Sequence, residues 1–375
     1  MRRRIVIIGA GPGGIAAARR LRDRAAGQVE IVLIERDGTA EFLAGTIATA
    51  LGEAPAHHWR IPVQLRGVNV QSGEVQRATG QGVVLADGPT LEADAVIAAP
   101  GLYLDLTAVP QKPNMFAFWS PSTAEAAREA VVHLRSGRLV VVISSLPYRC
   151  PPAPYSLAMQ LAAFYRQQQR NVQITLTTPE EAPLVTLGHG IPEFLLQSCR
   201  EAGVEVRLGH RPDWPASTER ELAFTNGLRL AYDLAVVIPP HTRASILAAL
   251  PEPGVLVPVD ERMETTERGL FVVGDAAQTL LPRAAEAATA QGLTAADAVL
   301  DRLGVARYTG PHLPTPECYI GHGDGRYSRI TIRFPNGLPP IGQPEIRREG
   351  PTPELAASFA RVFDKWRALR VENVR

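Results

Sequence analysis

Cysteine is scarce: the 375-residue chain has three, too few for a secreted fold stapled by disulfides. Lysine is scarcer still. Only Lys112 and Lys365 are present and arginine makes up the rest of the 39 basic residues, a skew that reads as compositional bias rather than chemistry. Against 38 acidic residues the formal net charge is +1. That balance offers no basic excess to neutralise a phosphate backbone, so no nucleic-acid partner is expected. Long apolar runs are missing too, and none reaches the ~18–20 residues that span a bilayer. The sequence shows no internal repeat and no low-complexity segment. What remains, 45% hydrophobic and 21% charged, is the composition of a soluble globular chain, long enough for two or three domains and expected in the cytoplasm.

The opening Met1-Arg2-Arg3-Arg4 and the apolar residues after it imitate a signal peptide. The same run contains Gly9-Ala10-Gly11-Pro12-Gly13-Gly14, however, and the first strand is expected to begin at about Arg4, leaving nothing to serve as a leader. Residues 4–8 are short, β-branched and closed by glycine, as a buried parallel strand is. Helical spacing follows over 13–26, with Ile15, Ala18 and Leu21 on one face, and Val29–Glu35 supplies the next strand. Strand, glycine turn, helix and strand form a βαβ unit. Gly9, Gly11 and Gly14 fill the G-x-G-x-x-G pattern: Gly9 for the tight turn, Gly11 for close approach of a pyrophosphate, Gly14 for close helix packing. Phosphates then rest on the helix N-terminus. Glu35 ends the second strand, 21 residues after Gly14, where a carboxylate suits a ribose 2′-hydroxyl and repels a 2′-phosphate. Pro12 and Gly13 complete the turn, and Arg36 and Val70 are further candidate cofactor contacts.

A second α/β block follows, with strands at Leu139–Ser144, Val172–Thr177, Val204–Leu208 and Leu234–Pro239 and helices over 155–169 and 192–202. Its first strand runs into Ser145-Leu146-Pro147-Tyr148-Arg149-Cys150, which has no glycine and two bulky side chains. A nicotinamide dinucleotide is therefore not expected to bind there in the usual manner. A third region returns to the first pattern, with an apolar strand ending in Gly274-Asp275 and a helix over 283–302. Together with Ala99-Pro100-Gly101, which closes a strand at 94–101, it points to FAD. In flavoproteins with two dinucleotide-binding domains, an aspartate at this place reaches the ribityl chain, and the following helix aims its N-terminus at the flavin. Pro100 stands where such proteins have Thr. Residues 306–351 are rich in Gly and Pro, with one strand expected at Ser328–Phe334. A helix at 353–370 closes the chain, with Thr352 as N-cap and Pro353 at its first position. Leu355, Phe359, Val362, Phe363, Trp366 and Leu369 share one of its faces, which suits either the membrane interface or the chain's own surface.

Cys150-Pro151-Pro152-Ala153-Pro154-Tyr155, with Tyr232-Asp233-Leu234, Pro239-Pro240-His241, Gly274-Asp275 and Glu317-Cys318-Tyr319-Ile320, resembles the sulfide:quinone oxidoreductases and the flavoprotein subunit of flavocytochrome c sulfide dehydrogenase. The resemblance runs over about 4–345. It implies non-covalent FAD and a redox-active pair, Cys150 and Cys318, that only the fold could join across 168 residues. It implies sulfide or a small sulfur species as substrate and a quinone or other electron acceptor, with peripheral contact to the inner face of a membrane and self-association as further partners left open. In fold terms it implies an α/β protein of two Rossmann-like domains. FAD-binding parts at 1–105 and 255–305 enclose a second domain at 106–254 that lacks the NAD glycine motif, and 306–375 carries the second redox cysteine and the terminal helix.

Departures and plainer readings stand beside it. The family's third essential cysteine has no counterpart, because Cys199 shares a helical face with Leu195 and Leu196 and reads as a buried structural thiol. The glutamate that often follows Pro-Ala-Pro-Tyr is Ser156 here. Cys150 and Cys318 could be unconnected buried thiols. Cys318 and His322 alone make no metal site. His57-His58-Trp59 reads as a loop over the cofactor, and His189 as a surface-loop histidine. Other readings are a flavoprotein passing electrons to a cytochrome, an NAD(P)H-dependent flavoprotein and a flavin-binding protein without turnover.

Overall fold

The structure, a computed structural model, describes residues 3–25, 27–86, 88, 90–184 and 190–372. Strand β1 (Arg3–Ile8), helix α1 (Pro12–Ala25) and strand β2 (Val29–Glu35) form the first crossover unit. β1 and β2 run parallel, Ile5 opposite Ile31 and Ile8 opposite Ile34. Strands β3 (Asn69–Ser72) and β4 (Ala95–Ala98) flank them. From far along the chain, β10 (Leu270–Val272) joins beside β4, giving a parallel sheet in the order β10-β4-β1-β2-β3. The buried faces of β1, β2 and β4 carry Ile, Val and Leu on both sides, which is the pattern helix-covered parallel sheets require.

A second parallel sheet uses the intervening chain. Its strands are β5 (Met115–Ala117), β6 (Ser136–Ile143), β7 (Asn171–Thr177), β8 (Val204–Arg207) and β9 (Leu234–Ile238), in the order β5-β9-β6-β7-β8. Helix α2 (Pro121–His133) leads into β6, α3 (Ala153–Gln167) joins β6 to β7, and α4 (Ile191–Glu201) joins β7 to β8. After β10, α5 (Ala285–Arg302) packs on α1 so closely that a Cβ on Gly292 would stand 2.1 Å from the Gly13 carbonyl oxygen. In the space between them Asp297 is fully buried and accepts from Arg20, Arg24 and His312.

The C-terminal region differs from expectation. Instead of one strand it holds an antiparallel sheet of β11 (Glu317–Gly323), β12 (Arg326–Arg333) and β13 (Glu345–Thr352), with β12 in the middle. Only β12 has the apolar alternation of a half-buried strand, with Ser328, Ile330 and Ile332 inward. β11 is interrupted by a bulge between Gly321 and Gly323. β13 is an edge rich in Arg and Glu that buries nothing fully. Neither leaves a period-2 signature.

Helix α6 (Pro353–Ala368) begins with Thr352 as N-cap and Pro353 in its first turn, although the Thr352 side chain makes no cap hydrogen bond. Its apolar face turns onto the chain itself. Phe363 packs on Phe42, His58 and Trp59, and Phe359 stacks on Tyr327 with ring centroids 5.0 Å apart. Leu369 stays exposed. Among the described residues no helix is long and apolar enough to cross a membrane.

Candidate functional site

The glycine turn after β1 is built by backbone contacts that exclude side chains. Gly9 holds φ +92°, a region costly for any residue with a Cβ, and a Cβ there would lie 2.5 Å from the Ala99 carbonyl oxygen. Its N–H donates to the Ile34 carbonyl at 2.8 Å. A Cβ on Gly14 would fall 1.9 Å from the Gly9 carbonyl oxygen. Gly11 is different. The nearest atom to a Cβ there would be 4.0 Å away, and the position lines a cleft of about 740 Å³. Room at Gly11, with the α1 N-terminus behind it, makes a cradle that fits a pyrophosphate. Glu35 closes the turn: its carboxylate accepts from the Ala10 N–H at 2.6 Å and the Arg36 N–H at 2.8 Å.

The same cleft is lined by Gly9, Gly11, Pro12, Gly13, Glu35, Arg36, Ala99, Pro100, Gly101, Gly274 and Asp275, and by both Cys150 and Cys318. Its volume falls in the ~300–1,000 Å³ range of ligand pockets. Gly14 lies behind the turn as a packing residue. Val70 is on β3, paired with Leu33, and does not line the cleft, whereas Gly73, Glu74 and Val75 just beyond β3 do.

Cys150 sits between β6 and α3 with φ +54°, left-handed backbone that costs a non-glycine residue ~1–2 kcal/mol. Its neighbours hold it there. The Trp119 indole N–H donates to the Arg149 carbonyl at 3.0 Å, and Arg149 Nη2 donates back to the Trp119 carbonyl at 2.6 Å. The exposed surface of Cys150 faces the cleft. Although that surface is open to the cleft, desolvation by the surrounding cleft walls and then the charge of Asp275 push its thiol up to about 11, against the opposing pull of Arg149. Cys318 comes from β11, opposite Ile330 of β12. Its thiol is raised by burial first, then by the charges of Cys150 and Glu286, so the two sulfurs share one electrostatic neighbourhood. Both thiols are free. Asp275 is raised by burial, countered by Arg149 and Arg283. Glu286, in the first turn of α5, is likewise raised by burial, while the N–H groups of Glu286 and Glu317 hold it down.

Ser156 braces this arrangement. Its Oγ accepts from the Gly321 N–H at 2.8 Å and from the Gln160 amide at 3.0 Å, tying α3, which follows Cys150, to β11, which carries Cys318. Cys199 is fully buried among the side chains around α4, its thiol pushed up to about 12 by burial. His322 bonds to Ser328 Oγ at 2.8 Å inside the C-terminal sheet. His57-His58-Trp59 is not over the cleft as expected; the tilted and edge-on ring contacts of His58 and Trp59 with Phe363 hold the segment against α6, and none of the three lines the cleft. His189 lies outside the described residues.

Sequence reasoning missed Arg149, Arg283, Glu286, Tyr319 and Arg370, all of which line the cleft. Two carried a local signal. Arg149 precedes Cys150, and Glu286 lies in the first turn of the helix after Gly274-Asp275. Arg370 carried none, because its place depends on where α6 docks.

Known proteins match this architecture across nearly its whole length. The sulfide:quinone oxidoreductase of the hyperthermophilic bacterium Aquifex aeolicus superposes with a TM-score of 0.81 at 16% identity, covering 98% of this chain and 92% of that one. A ferredoxin reductase from Rhodopseudomonas palustris gives 0.66 at 18% identity, covering 89% and 83%. An NAD-dependent persulfide reductase from A. fulgidus gives 0.64 at 16% identity, covering 88% of this chain and 64% of that one. At such identities these likenesses establish the fold. A sequence-family model, pyridine nucleotide-disulphide oxidoreductase, matches residues 3–292. The chain therefore belongs to the pyridine nucleotide-disulphide oxidoreductase family and is an FAD-dependent oxidoreductase.

Proposed function

We propose that the chain oxidises sulfide, or a related small sulfur species, through Cys150 and Cys318 and passes the electrons through FAD to a quinone. The observation that carries this reading is the convergence of two cysteines 168 residues apart in sequence on the cleft that also holds the glycine turn and Asp275. In the disulfide form of the pair, hydrosulfide attacks one sulfur: a new S–S bond forms, the Cys150–Cys318 bond breaks, and the products are a persulfide and a cysteine thiolate. FAD, when bound, supplies a two-electron acceptor for the pair that the sulfur gives up.

The protein's own groups set the proton balance. Arg149 favours thiolate at Cys150, while burial and Asp275 favour thiol. Glu286 holds its carboxyl at the Glu317 N–H, beside Cys318, and burial raises its proton affinity. Its carboxylate form can take the proton that the new persulfide S–H gives up on ionising, a task the side chain of Ser156 cannot perform. Phe359, Val362 and Trp366 give the cleft an apolar wall suited to a planar, apolar acceptor such as a quinone. Where a nicotinamide dinucleotide would need an open turn after β6, Tyr148 is buried, and its hydroxyl and that of Tyr155 both donate to Glu180, at 3.1 and 2.8 Å.

Anaerobic mixing of the holoenzyme with sulfide, and separately with NADH, tests the reading. Sulfide is expected to bleach the visible flavin absorbance in the wild type and not in Cys150→Ser or Cys318→Ser, with Cys199→Ser behaving as wild type. Bleaching by NADH alone would overturn it and make the chain a pyridine-nucleotide oxidoreductase.

A further inference from the structure

Arg370 follows α6 and is 1% exposed. The backbone around it is pinned to the first domain: its carbonyl accepts from the Gln64 N–H at 2.8 Å, and the Glu372 N–H donates to the Gln64 carbonyl at 2.8 Å. Two residues on, the Glu372 carboxylate takes Arg19, Arg22 at 2.7 Å and the Arg66 N–H at 2.9 Å. With the tail fixed on α1, the Arg370 side chain turns the other way, into the cleft.

There its guanidinium is only partly matched. Nε donates to the Ala10 carbonyl at 3.2 Å, Nη1 donates to the Trp366 carbonyl at 2.9 Å, and the group lies 3.9 Å over the Trp366 ring. Nη2 is buried with no hydrogen-bond partner. Among the described residues no carboxylate is in ion-pair contact with Arg370. Burial disfavours the charged guanidinium, and the charge of Glu35, acting without an ion-pair contact, only partly offsets this; a planar fork with a free N–H suits a phosphate oxygen better than a neutral acceptor. The Ala10 carbonyl that Arg370 holds belongs to the glycine turn itself, between Gly9 and the open position at Gly11.

We propose that Arg370 is a binding residue for the adenosine-diphosphate half of FAD, its Nη2 donating to a pyrophosphate oxygen, so that the C-terminal helix and tail strap the cofactor onto the glycine turn. The pyrophosphate then has donors from two directions, the α1 N-terminus on one side and a side chain more than 300 residues further along on the other. The proposal rests on FAD as the cofactor and is independent of the sulfur chemistry.

The test uses full-length protein, purified as holoenzyme and stripped of flavin, titrated calorimetrically with FAD, ADP, adenosine and FMN. Arg370→Gln is expected to raise the dissociation constants of FAD and ADP about 10–100-fold, as the loss of a charge-assisted hydrogen bond does, leaving those of adenosine and FMN unchanged. Arg370→Lys keeps the charge without the fork and is expected to fall between. Glu372→Gln loosens the tail but leaves the guanidinium, and separates ligation from docking. If Glu372→Gln weakens FAD as much as Arg370→Gln does, or if Arg370→Gln leaves ADP binding intact, the proposal is wrong.

Discussion

Two parallel sheets of like topology send a strand-to-helix turn into this cleft, and the two turns do opposite things. After β1, glycines bring backbone against backbone at Gly9 and Gly14 and leave open space at Gly11. After β6, the corresponding turn is filled: Tyr148 and Tyr155 share the Glu180 carboxylate, and Arg149 and Cys150 come forward to the cleft wall. One turn leaves room that fits a ligand's phosphates, and the other spends that room on packing and presents Cys150 to the cleft instead. A crossover fold therefore does not by itself specify a nucleotide site. The side chains in the turn decide it.

The largest break in this comparison should come from the first turn. Gly14→Ala puts a Cβ 1.9 Å from a backbone oxygen that cannot swing aside, so a loss of ~3 kcal/mol or more is expected, together with loss of bound flavin. Gly11→Ala, whose Cβ meets only the Ala99 carbonyl oxygen, at an unstrained 4.0 Å, should fold with the wild-type denaturation midpoint while binding FAD about tenfold more weakly. Urea unfolding with flavin content per chain separates the two, and equal destabilisation would erase the distinction drawn between Gly14 and Gly11. The second turn should respond in the reverse sense. Glu180→Ala removes the acceptor that Tyr155 uses and one of two that Tyr148 uses. Leaving such hydroxyls short of partners should cost ~2–3 kcal/mol with flavin content intact. Flavin loss at matched folded fraction would show instead that this packing supports the cofactor cleft.

What could be read in the sequence divides along the same line. The first turn was legible because its logic is steric and local: Gly9, Gly11, Gly14 and Glu35 lie within one crossover unit, and each residue type answers a short-range demand. Cys150 and Cys318 were visible only as strings resembling those of known flavoproteins. Their convergence depends on how α3 and β11 meet, which the Ser156 hydroxyl bridges. β11 and β13 went unread because a bulge and a charged edge erase alternation. Arg370 was hidden for a different reason: an arginine after a helix looks solvated until the helix face is seen to pack on Phe42 and Trp59.

Behind the second turn the cations gather, and a histidine reports on them. His241 is 3% exposed, with its Nδ1 at 3.0 Å from the Pro239 carbonyl oxygen. Burial, then the charge of Arg149, pulls it down to about 3; the Pro239 carbonyl opposes this and Arg283 adds to it. An unfolded chain binds that proton near pH 6.5, so the native state binds fewer protons than the unfolded state between pH 6.5 and about 3. The stabilising contribution is complete above the unfolded value and is lost as pH falls towards the folded one. Between pH 7.5 and 5.5 the loss from this single group should be about 1.4 kcal/mol. Carboxyls raised by burial, such as Asp275 and Glu286, act in the opposite sense, so the wild-type slope is a composite and the difference from a variant is the useful quantity. His241→Asn keeps a donor for Pro239 and cannot titrate. Its unfolding free energy should therefore fall less than the wild type's over that interval, by about the same 1.4 kcal/mol. Equal slopes would mean that His241 takes up its proton in the native state as an exposed imidazole does, and that Arg149 and Arg283 direct their charge at the cleft alone.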